Sequence, residues 1–462
     1  MLSSRHQSQR EMGTFEVKPI VNSVAAFISL AIALTVAYLP AYSGLSPDGR
    51  TTLFILLLAA GLWVSEALPA FAVGFLVIGL EIFLLSSASG GNGLPWQEFT
   101  APWASPVIWL FMGGLIMARA AEKTGLNKRV SSIILSRFGS SQPALLFGIM
   151  AITFVFSCFM SNTATAAMML GLMGPLLVIF AKNDSRRKAF VLAVPLAANI
   201  GGMGSLIGTP PNAVAAALLE KNGSAVGFVE WMWWGMPPAI VSMVILWIYL
   251  RLKYKCSGEL PGKISFEIAP LTGEVKYVMG VFTVTVALWC SSSFHGLPSS
   301  VVAFVPIVFL CLNGTLLAED IRQLPWEVLI LLAGGLSLGV AVDKSGLAVW
   351  LVDSLPSTAG NAFLTIAIVS VFACVLSNFM SNTAAANILM PVAVALVPGQ
   401  EQTMLVCLAL ASSTAMCLPI STPPNALACT QGELKAGDFL ISGIIAGVIG
   451  TLLSLLWNVI IL

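Results

Sequence analysis

Apolar runs of about twenty residues recur along the chain, beginning near Val17, Thr52, Ala70, Trp103, Ala189, Val229, Val275, Ser300, Trp326, Met404 and Phe439. A run of that length matches the hydrocarbon thickness of a bilayer, where backbone N–H and C=O groups find no water. Each crossing must then satisfy itself as a helix or close into a barrel. The alternating pattern of barrel strands is absent, so the reading is an all-α polytopic membrane protein with about eleven transmembrane helices. Composition agrees: of 462 residues, 57% are hydrophobic and 9% charged, against about 25% charged in soluble domains. So few charges cannot cover a water-facing surface of this size. A cytosolic enzyme, a nucleic-acid binder and a disordered chain are excluded.

Charge placement orients the runs. With the N-terminus inside and one crossing per run, Arg5, Arg10, Lys18, Arg119, Lys123, Lys128, Arg129 and Arg137 fall inside. So do Lys182, Arg186, Arg187, Lys188, Arg251, Lys253, Lys255, Lys263, Lys276, Arg322 and Lys435. Only Arg50, Lys221 and Lys344 fall outside, a division of 19 to 3. That bias is expected of a multi-pass protein of the plasma (inner) membrane, and a wrong span count scrambles it. The N-terminus is therefore read as cytoplasmic and the C-terminus as outside. The polar stretch 3–18 has no small-residue cleavage site close behind it and reads as a tail, not a cleavable signal.

The eight cysteines show no CxxC spacing and mostly lie in apolar runs, so neither a disulfide framework nor a thiolate metal site is expected. Two histidines, His6 and His295, are too few for a haem or zinc cluster.

The chain repeats itself. Pro102-Trp103 leads through Gly113-Gly114 to Lys123-Thr124-Gly125-Leu126, and Pro325-Trp326 leads through Gly334-Gly335 to Lys344-Ser345-Gly346-Leu347. Ser157 to Ala164 matches Ser377 to Ala384, and Gly208-Thr209-Pro210-Pro211-Asn212 matches Ser421-Thr422-Pro423-Pro424-Asn425. Three ordered matches, at offsets drifting from 223 to 213, mark a duplication. Five span starts, counted from the one at Trp103, precede its partner at Trp326; five is odd, so the copies cross the membrane in opposite senses. Inverted repeats are typical of secondary transporters, whose substrate is held near the midplane at the repeat interface.

The duplicated motifs fall where helices must break. Residues 141–180 form an apolar stretch with Ser161-Asn162-Thr163 in its middle and basic residues, Arg137 and Lys182, at both ends. Both ends are then inside, which two full crossings or one re-entrant hairpin would satisfy. The hairpin is favoured, because a turn flanked by Phe159-Met160 and Ala164 has little to mark it as aqueous. Residues 361–397 repeat the pattern from the outer side, with Ser381-Asn382-Thr383 at the tip. Such residues cap the following helix, whose exposed amides attract anions. Carbonyls ending the preceding half-helix, with Ser157 and the Asn162 side chain, offer hard oxygens to a small cation. In Thr-Pro-Pro-Asn the two prolines remove donors and force an unwound stretch, tolerated in lipid only against protein, water or a bound ion.

No Lys or Arg lies in either hairpin core or either broken helix. Glu66 and Glu81 lie in early spans and read as structural or interfacial. The tryptophans, such as Trp231, Trp233 and Trp234, read as an interfacial belt at span ends. Hydroxyls, amides, carbonyls and helix N-termini can hold an anion together with Na+, but not a free organic cation.

These residues resemble the divalent anion/sodium symporter family, whose INDY-type bacterial members carry C4-dicarboxylates, over nearly the whole chain. The resemblance implies a homodimer working by an elevator movement. It implies a tail (1–18), scaffold spans 1–4 (19–140), a first transport part with the inner hairpin, broken span 5 and span 6 (141–256), and a cytoplasmic loop (257–274). Scaffold spans 7–9 (275–360) and a second transport part with the outer hairpin, broken span 10 and span 11 (361–462) follow. One sodium site would use Ser157, Ser161, Asn162 and Gly208, and its inverted partner Ser377, the Met380 carbonyl, Asn382 and Ser421. A dianionic substrate would meet Asn162, Thr163, Asn382 and Thr383, closed in by Thr209, Thr422 and Pro423. Ser421 stands opposite Gly208, so the two sites need not be equally tight. Na+ is the implied co-transported ion, with two or more sites, and membrane lipid the surrounding partner. A sodium-independent exchanger, or a carrier of citrate or sulfate, is the alternative on the same fold. A membrane-embedded enzyme and a channel are disfavoured, since no acid–base or nucleophile pair and no pore-lining ring presents itself.

Overall fold

The structure is a computed structural model describing residues 22–87, 93–181, 184–260, 266–354, 361–431 and 434–462. The tail 1–18, the expected start at Val17, and Lys182 and Lys263 lie outside the described residues. Every named element is a helix. The first half runs α1 (Ser23–Tyr38), α2 (Pro47–Val64), α3 (Ala70–Leu85), α4 (Gln97–Thr100), a 3-10 turn, and α5 (Pro106–Thr124). Next come α6 (Leu126–Leu135), α7 (Gln142–Ser157), α8 (Asn162–Leu172), α9 (Gly174–Ile179), α10 (Ser185–Gly202), α11 (Pro210–Lys221) and α12 (Phe228–Lys253). The second half runs α13 (Gly273–Cys290), α14 (Ser292–His295), α15 (Ser299–Val302), α16 (Phe304–Leu312), α17 (Ala318–Arg322), α18 (Trp326–Lys344) and α19 (Leu347–Ser354). It ends with α20 (Ala362–Leu376), α21 (Asn382–Leu396), α22 (Glu401–Ser413), α23 (Pro423–Cys429) and α24 (Ala436–Ile461). Among the described residues, five helical stretches are by length and composition enough to cross a membrane: Gln97–Thr124, α12, α13, α18 and α24. Shorter apolar helices such as α1, α3, α7, α20 and α21 accompany them.

Boundaries follow local chemistry. Ser46 caps α2 by accepting from Gly49 N at 2.8 Å, with Pro47 just inside, and Ser105 with Pro106 opens α5 in the same manner. Trp103 thus lies in the preceding 3-10 turn, not at a helix start. The run expected from Ser300 is split into α15 and α16 around Ala303, because Pro306 has no N–H to offer the carbonyl four residues back.

The centre of the molecule is α10 and α22. Every residue from Ala189 to Gly202 and from Thr403 to Ser413 is buried, as expected of helices surrounded by other helices. The periphery is apolar and exposed: Phe27, Phe83, Val155, Phe294 and Val448 are each more than half exposed, a surface suited to lipid. Packing recurs between the halves. α7 lies on α10 and α20 on α22; α5 lies on α16 and α18 on α3; α12 and α24 pack on each other.

The tryptophan expectation is corrected. Trp231 and Trp234 are buried, and only Trp233 of the three is exposed. Trp231 Nε1 donates to Met203 O at 3.2 Å, supplying a donor to the unwound stretch behind α10. Ion pairs fasten helix ends: Asp320 takes Lys123 at 2.6 Å and Arg119 at 3.2 Å, Lys188 meets Asp438 at 3.0 Å, and Lys221 meets Asp343 at 2.9 Å.

Candidate functional site

Two turns bring the Ser-Asn-Thr residues to helix starts. Ser161 Oγ accepts from Ala164 N at 3.2 Å and begins α8; Ser381 Oγ accepts from Ala384 N at 3.2 Å and begins α21. The expected caps are present in both halves, leaving the first amides of each helix for a partner.

Two further starts come from the broken helices. Thr209 and Thr422 are extended (φ −151°, ψ 145° and φ −141°, ψ 148°) and lead into α11 and α23, where each proline pair occupies positions that need no amide donor. The motif asparagines hold the unwound stretches in place. Asn212 Nδ2 donates to Gly202 O at 2.9 Å and Ser205 O at 2.7 Å; Asn425 Nδ2 donates to Met416 O at 3.0 Å and Leu418 O at 2.9 Å. Each hairpin turn is also tied to the unwound stretch of its own half. Ser205 Oγ bonds Cys158 O in the first, and Ser421 Oγ bonds Asn378 O at 3.1 Å in the second.

In the first half, Ser157, Asn162 and Gly208 come together. The end of the Asn162 carboxamide that faces Ser157 Oγ at 2.6 Å also lies 3.2 Å from both Ala198 O and Gly208 O. Ser157 Oγ itself lies 2.6 Å from Ala198 O. With the amide nitrogen turned inward it donates to all three neighbours; with the oxygen inward the set is oxygen only. Neutral, hard oxygens of this kind suit an alkali cation. Glycine is required here by close approach: a Cβ on Gly202 would stand 2.8 Å from Asn162 Oδ1, and one on Gly208 would strike Gly202 O.

The second half differs. Ser377 Oγ and Asn382 Oδ1 are buried with no hydrogen-bond partner among the described residues. Ser421 Oγ is engaged within its loop, accepting from Leu418 N at 3.0 Å besides its bond to Asn378. Met380 is buried next to the turn. Thr163 is exposed while its counterpart Thr383 is buried; Thr209 and Thr422 are buried and Pro423 is exposed. α8 packs against α23 and α21 against α11, so each hairpin's second helix meets the broken helix of the opposite half. Among the described residues, no side-chain hydrogen bond joins Thr163 or Thr383 to the other expected site residues.

Two residues escaped the sequence. Asn199, buried on α10, donates to Thr422 Oγ1 at 3.0 Å and lies 3.4 Å from Asn425 Oδ1, joining the halves. A lone amide in an apolar run gave no spacing signal. Glu66, at φ 48°, lines a cavity of about 310 Å³ with Trp63, Pro69 and Ser381 of the second tip, a neighbourhood that its reading as structural or interfacial did not suggest. Glu81 is buried on α3 against Ser337 Oγ, in keeping with a structural part.

The comparisons with known proteins agree with this architecture. A family described as the sodium:sulfate symporter transmembrane region matches residues 21–461. The sodium-dependent dicarboxylate transporter SdcS of Staphylococcus saprophyticus is 32% identical over 434 residues, covering 85% of this chain and 82% of its own. SdcS of Staphylococcus aureus is 30% identical over 451 residues, covering 88% and 85%. The crystal structure of the YdaH transporter of Alcanivorax borkumensis superposes with a TM-score of 0.57 at 13% identity, over 90% of this chain and 98% of that one, a likeness of fold. A helical fold with an apolar exterior, a family match over nearly every residue and these relatives place the chain in the sodium:sulfate symporter family of membrane transporters.

Proposed function

We propose that the protein is a sodium-coupled importer of C4-dicarboxylates, of the succinate, fumarate or malate class, working by elevator-type alternating access as a homodimer. The observation that carries this reading is the acceptor-only surrounding of the Asn162 carboxamide, made by Ser157 Oγ, Ala198 O and Gly208 O. Na+ held there by oxygens turns the Asn162 nitrogen outward, toward a substrate carboxylate at the start of α8. The unpartnered Ser377 Oγ and Asn382 Oδ1 suit a second Na+ in the inverted copy, with the Met380 carbonyl and Ser421 beside them. Thr163, Thr209, Thr383, Thr422 and Pro423 complete the substrate chamber, with Ser161 and Gly208 shaping the first ion site.

Charge arithmetic explains the coupling. A dianion reaches the midplane with no Lys or Arg to meet it, and each helix start supplies only about half a charge. One Na+ about 5 Å from a carboxylate contributes about 3 kcal/mol at an effective dielectric near 20. Two such ions offset much of the desolvation of the substrate.

The recurring helix pairs, α7 with α10 and α20 with α22, α8 with α23 and α21 with α11, support eleven crossings and two re-entrant hairpins in an inverted repeat. The N-terminus is then cytoplasmic, with scaffold 19–140 and 275–360 and transport parts 141–256 and 361–462. Dicarboxylate is preferred to sulfate because SdcS, matched over most of its length, is named for that substrate.

The test is uptake of labelled succinate by proteoliposomes with Na+ inside or outside, or replaced by choline, from pH 6 to 8. Concentrative uptake driven by inward Na+ is expected. Undiminished uptake in choline discards symport in favour of an exchanger or proton-coupled carrier. Counterflow against unlabelled sulfate and citrate separates the substrate classes.

A further inference from the structure

An ion pair sits on the seam between the two groups of helices. Lys221, the last residue of α11, reaches Asp343 in the last turn of α18 at 2.9 Å, and α11 packs against α18. Under the function proposed above, on which this inference rests, α11 travels with the transport parts while α18 stays with the scaffold. A translation of one past the other separates the pair.

The duplication supplies its counterpart. Lys344-Ser345-Gly346-Leu347 matches Lys123-Thr124-Gly125-Leu126, so Asp343 corresponds to Glu122. The Thr-Pro-Pro-Asn blocks, offset by 213, carry Lys221 to position 434, one residue short of Lys435. Inversion places this second acid–base pair on the opposite membrane face, where the charge distribution also puts Lys123 and Lys435. In the structure the second pair is open. The Glu122 side chain is 55% exposed and, among the described residues, has only Arg119, on its own helix, within ion-pair distance, at 3.5 Å. Lys435 is exposed, and among the described residues no carboxylate lies within ion-pair distance of its amine. The packing of α11 on α18 likewise has no comparable equivalent between α23 and α5 among the described residues.

We propose that Lys221–Asp343 and Glu122–Lys435 are alternating latches, the first closed in the state described and the second closing when the transport parts reach the other side. The exposure of the closed pair, 34% for Lys221 and 61% for Asp343, sets its strength. An ion pair this wet biases the two states by about two- to fivefold, enough to tune their populations without holding either shut. It assigns Glu122 and Lys435, which meet no partner across the seam in this structure, a contact in the other state.

Disulfide-range cross-linking with a short bifunctional thiol reagent tests this in reconstituted protein with Cys290 and Cys311, the exposed cysteines, replaced by serine. Lys221→Cys with Asp343→Cys, and Glu122→Cys with Lys435→Cys, are expected both to cross-link. Adding Na+, or Na+ with succinate, changes the two yields in opposite senses. Thiol accessibility of Ala164→Cys (half-buried) and Ala384→Cys (buried) reports the alternation of the tips independently. If those accessibilities exchange while Glu122/Lys435 never cross-links, the latch is overturned and the transport reading stands. If nothing exchanges, the alternating reading falls and the latch with it. In the Ala164→Cys and Ala384→Cys backgrounds, Lys221→Gln should shift the accessibility ratio two- to fivefold, and Lys221→Asp with Asp343→Lys should restore it. An unshifted ratio with Lys221→Gln overturns the proposal.

Discussion

At the scale of single residues, the work of the proposed site falls on two amides. In that proposal each of Asn162 and Asn382 turns one end to a cation and the other to the substrate, so truncation would remove both contacts. Asn162→Ala and Asn382→Ala are expected to abolish succinate uptake while leaving the protein folded and monodisperse. A buried carboxylate oxygen left without its donor costs about 1–3 kcal/mol, roughly tenfold or more in affinity. Normal uptake by either variant reduces the tip to a simple cap. Asn199 makes a sharper contrast. It is the donor that Thr422 and Asn425 share across the halves, whereas its repeat counterpart Ser412 bonds, among the described residues, only Leu408 O on its own helix, at 2.9 Å. Asn199→Ala should raise the succinate KM several-fold and Ser412→Ala should not; equal effects would place Asn199 outside the binding machinery. The caps Ser161 and Ser381 were legible in the sequence because capping is a local rule read from the residue and its followers. Asn199 was not, because its partners lie more than 220 residues away and only the folded packing brings them near.

At the scale of elements, the helix breaks at Ser-Asn-Thr and Thr-Pro-Pro-Asn were legible as polar words inside apolar runs, and the helices after them start where capping chemistry puts them. The boundaries that moved did so for reasons of neighbouring proline: Pro106 delays α5 beyond Trp103, and Pro306 divides the span expected from Ser300. Tryptophan was misread because span ends in sequence need not be membrane interfaces in space. Trp231 stands one turn into α12, where that helix covers the unwound stretch of the broken helix, so burial and a hydrogen bond replace the headgroup region. The base of the first hairpin is fixed by backbone bonds to the segment after α12: Leu260 N donates to Ser140 O at 2.8 Å and Gln142 N to Gly258 O at 3.0 Å. That segment follows the basic residues Arg251, Lys253 and Lys255, which the positive-inside rule assigns to the cytoplasm. A cysteine at Ser140 should therefore react with an impermeant maleimide only from the cytoplasmic side. Labelling from outside in intact right-side-out vesicles would reverse the hairpin.

At the scale of the whole molecule, the structure is a pair of similar halves that are not equal. The first proposed ion cluster is closed by internal hydrogen bonds, while the second leaves Ser377 Oγ and Asn382 Oδ1 without hydrogen-bond partners among the described residues. Buried acceptors without donors are costly, so a cation gains most where they already exist. Na+ is expected to bind before the dianion and to prepare the chamber for it, which makes the succinate KM fall as Na+ rises. Initial rates over a grid of both concentrations check this; a KM independent of Na+ would mean that the ions and the substrate do not share a site. Sequence alone pointed to unequal halves through Ser421 standing opposite Gly208. It did not show which hydroxyl each loop consumes, Ser205 in one and Ser421 in the other, because that is decided by the folded packing.

The bond between Trp231 and Met203 gives the protein an optical signal of its own. An indole whose N–H is held by a carbonyl of the unwound stretch reports any change in the polarity or order of that stretch through its emission. Gly208, one of the proposed ion ligands, lies five residues further along the same stretch. Na+ binding should shift the fluorescence of unlabelled protein, and subtracting the Trp231→Phe spectrum should isolate the shift from the other eleven tryptophans of the twelve. The chain then reports its ion occupancy in detergent, without a transport assay, a lipid vesicle or an attached dye.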